Sequence, residues 1–138
     1  MTKQFWINLP VKDIKRSKEF FTQLGFKFNT QHGNTANSVS LLIGEKDVVL
    51  MLFDEPTFQH FIGGQSPIAH NTTEVLLSID AESKEEVDAL VAKAVAAGGS
   101  STHVPYEMKG WMYGSVFSDI DGHKWNVLYM DMSRMPKG

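Results

Sequence analysis

A chain of 138 residues, 42% apolar and 21% charged, is long enough to bury a core as a single domain without disulfides or structural metal. It contains no cysteine, which excludes disulfides, thiolate zinc sites, iron–sulfur clusters and a cysteine nucleophile. The formal net charge of −3 comes without a basic stripe, so nucleic acid is not an expected partner, and no apolar run nears the ~20 residues that span a bilayer, so no membrane is expected either.

The opening Met1-Thr2-Lys3-Gln4 lacks the apolar stretch of a secretory signal, and the expected location is the cytoplasm. Phe5 to Val11 then reads as a strand, rich in aromatic and β-branched residues, with Pro10 marking its end or a bulge. Asp13 is placed to cap a helix. Ile14, Ser17, Phe21 and Leu24 follow on one face, with Phe20 beside them and Gly25 as the stop. Phe26 to Thr30, Ser38 to Ile43 and Asp47 to Phe53 read as strands, the last apolar on both faces. Residues 55–72 form a polar, Gly/Pro-punctuated connection in which Thr57 to Ile62 has the makings of a short helix.

The order then repeats. Thr73 to Ile79 is a strand. Ser83-Lys84-Glu85-Glu86 is a capping-box sequence opening a helix whose apolar face is Val87, Leu90, Val91, Ala94 and Val95. Ser101 to Val104, Tyr113 to Ser118 and His123 to Met130 supply further strands, with Asp121-Gly122 as a turn signal. Each half reads strand, helix, strand, strand, strand, and Val48 to Asp54 aligns with Trp125 to Asp131, both runs ending in Asp. Strands are expected at about residues 4–10, 26–30, 37–43, 47–54, 73–79, 100–104, 113–118 and 123–131, good to roughly 2–4 residues.

Asn8-Leu9-Pro10-Val11-Lys12-Asp13, Phe20-Phe21, Leu24-Gly25-Phe26 and the late Ser118-Asp119-Ile120-Asp121-Gly122-His123-Lys124-Trp125 resemble the vicinal-oxygen-chelate superfamily of glyoxalases, bleomycin-resistance proteins and extradiol dioxygenases. Thr73 to Leu77 and Gly110 to Gly114 are similar to its branch labelled predicted lactoylglutathione lyase. The resemblance implies an α+β fold of two tandem βαβββ modules, about 1–54 and 73–132, forming a cupped, open-barrel sheet within one domain, and pairing of chains as a homodimer. It also implies a divalent metal held by one residue from the first and one from the last strand of each module. Carried over, those positions fall on Trp6 or Asn8, Leu50 or Leu52, Glu74, and Tyr129. Only Glu74 is a donor of ordinary strength for a hard ion, so no metal and no cofactor are expected.

Glu74 reads either as a strand-end carboxylate in water or as a buried carboxylate at the cup floor, fit to act as acid, base or anchor. The histidines, His32, His60, His70, His103 and His123, show no i+2, i+3 or i+4 pairing and read as structural. Trp111-Met112-Tyr113 between Gly110 and Gly114 reads as strand-start packing or as an adaptable apolar lid. Trp6, Asn8, Glu74, Trp111, Met112, Tyr113 and Tyr129 are expected to line one cavity, with Leu50 and Leu52 as further ligand-facing positions. The expected partner is a neutral or cationic small organic molecule, bound as in bleomycin-resistance proteins. The alternatives are a glyoxalase-like lyase or isomerase with Glu74 as general base, which would need an electrophile to stabilise an enediolate, and a fold relative with a regulatory or unknown ligand.

Overall fold

The structure, a computed structural model, describes residues 1–64, 73–102 and 104–136. It divides into two compact units, Met1–Ala69 and His70–Gly138. In the first, β1 (Ile7–Val11) leads to α1 (Ile14–Gln23), then β2 (Lys27–Phe28), β3 (Ser38–Ile43) and β4 (Val48–Asp54), followed by α2 (Glu55–Ile62). In the second, β5 (Leu76–Ala81) leads to α3 (Lys84–Ala96), β6 (Tyr106–Met108), β7 (Met112–Ser118) and β8 (Lys124–Met130), with a 3-10 turn at Met132–Arg134. Each unit is an open four-stranded sheet, in the orders β1-β4-β3-β2 and β5-β8-β7-β6. The first strand runs parallel to the last, because a helical crossover returns the chain in the same direction; the remaining pairs are antiparallel. The doubled βαβββ order is the one expected.

Local chemistry explains the helices. The Asp13 side chain accepts from the Arg16 N–H at 3.2 Å and caps α1. Ser17, Phe20, Phe21 and Leu24, spaced for one face, are all buried. The chain leaves through Gly25, whose φ of 84° suits a residue without Cβ. The Ser83 Oγ accepts from the Glu86 N–H at 3.1 Å, and the Glu86 carboxylate reaches back to the Glu82 N–H at 2.8 Å. This is a capping box displaced by one residue. The repeat extends to the end of each fourth strand. Asp54 caps α2 through the Thr57 N–H at 3.0 Å, and Asp131 caps the 3-10 turn through the Ser133 N–H at 3.1 Å. Hydrogen bonds from Thr57 and Asn37 hold the Asp54 carboxyl below its usual range. Because Asp54 supplies the cap, α2 begins at Glu55 rather than at Thr57, with Pro56 in the first turn, where a missing N–H is harmless.

One face of each sheet is closed by its helix. In the first unit Val11, Val39, Leu41, Leu50 and Leu52 are buried together with Phe20 and Phe21 of α1. In the second, Ala81, Phe117, Trp125 and Val127 are buried with Val87, Val91 and Ala94 of α3. Phe117 and Trp125 stack with centroids 6.1 Å apart and rings 2° from parallel. At ~1.5–3 kcal/mol per large apolar side chain, these layers supply the main stabilisation of each unit.

Three expected boundaries move. β1 starts at Ile7 and β5 at Leu76, so Phe5, Trp6 and Thr73 to Val75 precede the ladders. Among the described residues of the strand expected at 100–104, none belongs to a strand. Ser100 makes one isolated bridge to Ser118, and the edge strand starts at Tyr106. Pro105 intervenes and has no N–H to give a ladder. Among the described residues no helix is long and apolar enough to cross a membrane.

Candidate functional site

The face of the second sheet that α3 leaves uncovered is built by alternation. Since Trp125 and Val127 point into the core, their neighbours Asn126 and Leu128 point the other way. The register brings Ser78 beside Asn126 and Asp80 beside Leu128 from β5, with Val116 and Gly114 from β7. A cavity of about 250 Å³ lies on this face, lined by Tyr106, Met108, Met112, Val116, Leu128 and Asn126. Gly114 contributes to its wall. Polar character comes from Asn126, whose Nδ2 donates to the Ser78 Oγ at 3.3 Å.

A second cavity of about 90 Å³ is walled by Trp111, Tyr129, Lys84, Glu107 and Arg134, among others. Lys84 and Glu107, both in its wall, form an ion pair. Their hydrogen bond raises the Lys84 ammonium and lowers the Glu107 carboxyl relative to their ordinary values. Both side chains are largely in water, so the pair adds little stability. The Lys84 Nζ also lies 5.6 Å from the centroid of Tyr113, within cation–π range.

Tyr113 sits opposite Tyr129 in the register and donates to the Asp88 Oδ1 at 2.6 Å. That bond, with burial second, pushes its phenol up to about 12. Asp88→Asn is expected to bring Tyr113 down towards the ordinary 10.0, read as tyrosinate absorbance in an alkaline titration. An unchanged titration would assign the shift to another cause.

The expected site residues are distributed as follows. Trp111, Met112 and Tyr129 share the 90 Å³ cavity. Tyr113 is turned to Asp88 on α3. Trp6, 52% exposed, precedes β1, and Asn8 is exposed on it. Glu74 is exposed, two positions before β5, so the burial that an acid/base role required is not found. Leu50 and Leu52 are 2% and 0% exposed in the core under α1 and present no surface to a ligand; Met51 and Phe53 occupy the opposite face. The segment from Gly110 to Gly114 is not a loop lid. Lys109 and Gly110, at φ 54° and 77°, make a tight turn, and the Trp111 carbonyl accepts from the Asp131 N–H at 2.7 Å. Met112 already belongs to β7.

The family's metal does not fit these residues. The Leu50 and Leu52 side chains carry no donor atoms, and a phenol such as that of Tyr129 is a poor ligand for a hard ion. Among the described residues no group of three or more His, Cys, Asp or Glu is placed to hold a metal ion. His32 and His60 are exposed, His123 sits in the Asp119 turn, and His70 and His103 lie outside the described residues.

Tyr106, Met108, Val116, Asn126, Leu128, Lys84, Glu107 and Arg134 were not among the expected site residues. Alternation against Trp125 and Val127 was the signal that could have found Asn126 and Leu128.

The glyoxalase/bleomycin resistance protein/dioxygenase superfamily model matches residues 3–127. No curated protein sequence matches the chain. Among solved structures, the hypothetical protein SA1046 from S. aureus is 34% identical, with a TM-score of 0.81 and 94% of each chain covered. A glyoxalase-related enzyme from Fulvimarina pelagi is 19% identical with a TM-score of 0.79, covering 99% of this chain and 94% of that one. A glyoxalase/bleomycin resistance protein/dioxygenase family enzyme from Burkholderia phytofirmans PsJN is 21% identical with a TM-score of 0.75, covering 91% and 96%. With its doubled βαβββ order and a family match over most of its length, this chain belongs to the glyoxalase/bleomycin resistance protein/dioxygenase superfamily.

Proposed function

We propose that this chain is a binding member of the superfamily, taking a small, largely apolar organic molecule, neutral or cationic, without the usual metal. The observation that carries the reading is the 250 Å³ cavity on the open face of the second sheet, walled mainly by Met, Val, Leu and Tyr side chains. A few polar groups in an apolar concavity are the usual composition of a small-molecule site. Asp80, beside Leu128 in the register, puts a carboxylate on that face and favours a cation over an anion. The lyase reading has less support, since it needs a positioned base and an electrophile, whereas Glu74 is exposed.

Benzylamine and benzyl alcohol, titrated calorimetrically with and without EDTA, test the proposal. Both are expected to bind with dissociation constants on the order of 1 mM or somewhat below, unaffected by EDTA. Val116→Glu, which puts a carboxylate into the apolar wall, is expected to abolish binding of the alcohol. Binding that requires added divalent metal, or that survives Val116→Glu unchanged, would overturn it.

A further inference from the structure

We propose that Met108, Met112 and Met130, in one row across the open face of the second sheet, form a site for a soft monovalent metal ion of the copper(I) type, held by thioether sulfur. Met108 and Met112 also line the open-face cavity, but the site does not rest on the function proposed above.

The ladder makes the row. Met108 on β6 pairs with Met112 on β7, and Met112 pairs with Met130 on β8. Residues directly opposite in an antiparallel pair share a face. That face is the one away from α3. Trp125 and Val127 are core, so alternation puts Met130 on the other side with Asn126 and Leu128. The Asp131 N–H bonds to the Trp111 carbonyl at 2.7 Å. Met112 and Met130 are therefore the adjoining non-hydrogen-bonded pair, the type with Cα atoms ~4.5 Å apart and side chains closest. Met108 flanks Met112 on its other side at the ordinary strand spacing of ~4.8 Å. An ion can reach all three, since Met108 and Met112 are partly exposed in the cavity wall and Met130 is 39% exposed.

The composition of the row carries the inference. Apolar surface alone is supplied by the β-branched residues that strands favour, and Val116 and Leu128 supply it farther along the same face. Three unbranched thioethers side by side add polarisable sulfur lone pairs. Thioether sulfur is a neutral, soft donor that suits copper(I), whereas magnesium, calcium and manganese take oxygen. Each side chain has three rotatable bonds, so sulfurs on adjacent strands can lean towards one ion. The chain has no cysteine, so no thiolate competes for it. Asp80 is exposed and pairs with Leu128 on this face, diagonal to Met130, where its carboxylate offsets the charge of a bound cation.

The experiment follows the methyl resonances of protein labelled with ¹³C at the methionine methyl groups. Silver(I) is the probe, soft, monovalent and stable in air, added as the nitrate in chloride-free buffer. The chain has seven methionines, and single Met→Leu variants assign the signals. Those of Met108, Met112 and Met130 are expected to shift together and to saturate, with a dissociation constant on the order of 10 μM or below. Zinc at the same concentration should leave all three in place. Met112→Leu keeps volume and apolar character and should weaken silver binding by about tenfold or more, at least the loss that follows removal of a group supporting a metal ligand. Met130→Leu, at the exposed end of the row, should do the same. The Trp125 indole signal, its N–H held by Asp119 at 3.1 Å, reports that the second unit stays folded in each variant. Methionine signals that stay in place, move with separate midpoints, shift equally with zinc, or titrate unchanged after both substitutions would overturn the proposal.

Discussion

Asp119→Ala is expected to lower unfolding stability by about 2–4 kcal/mol at pH 7, because one carboxylate serves three donors. Its Oδ1 accepts from the Asp121 N–H at 2.9 Å and the His123 N–H at 3.0 Å, and its Oδ2 accepts from the Trp125 indole N–H at 3.1 Å. Trp125 is 1% exposed, so water does not readily replace the carboxylate that its N–H loses. Urea denaturation at constant m-value measures the loss; a change within about 0.5 kcal/mol would show that the turn reorganises and resatisfies its donors.

The same carboxyl gives the loss a pH dependence. Burial pushes Asp119 up, against the pull of His123, the Trp125 indole N–H and the Asp121 N–H. Between the unfolded-state value near ~3.9 and the raised folded-state value, the folded chain therefore holds more of that proton than the unfolded chain does. Stability from that proton is full below about pH 4 and is lost as pH rises through the folded-state value. Asp119→Asn removes the titration. Its cost relative to the natural chain is thus expected to be larger near pH 4 than near pH 7. A cost that grows with pH would mean that the three hydrogen bonds outweigh burial.

Gly114→Ala is expected to cost about 2–3 kcal/mol through overpacking. A Cβ there would lie 2.6 Å from the Val127 carbonyl oxygen and 2.6 Å from the Leu128 Cδ2. The leucine tip can turn away, but the carbonyl belongs to the backbone of β8, the strand that pairs with both β5 and β7. A double-mutant cycle with Leu128→Ala separates the two contacts. Most of the cost should persist in the Leu128→Ala background. If it vanishes there, the side chain and not the carbonyl sets the limit.

Local signals in the sequence carried far. Asp13 and Ser83 mark helix starts by their side-chain oxygens, Gly25 marks a stop, and the paired Asp54 and Asp131 mark the same corner twice. Which face of a strand meets the core was harder to read. In Val48 to Phe53 every residue is apolar, so periodicity gives no preference between Leu50 with Leu52 and Met51 with Phe53. Packing under Phe20 and Phe21 decides it. In β8, Trp125 and Val127 are core against α3, although nothing in a strand of mixed aromatic and aliphatic residues says which face the helix covers. The small cavity draws Lys84 from a helix start and Arg134 from the turn after β8, fifty residues apart in the chain (134 − 84), and no local pattern links them.

The parallel pairing of first and last strands sets a waiting time during synthesis on the ribosome. Ile7 pairs with Leu50, 43 residues later (50 − 7), and Leu76 with Lys124, 48 later (124 − 76). At ~5–20 residues per second, β1 and β5 each spend about 2–10 s as finished strands without a native neighbour. Such a strand is a template for wrong partners. The polar Asn8 and the donorless Pro10 in β1, and Ser78 with Asp80 in β5, interrupt the apolar runs where a nascent chain is most open to mispairing.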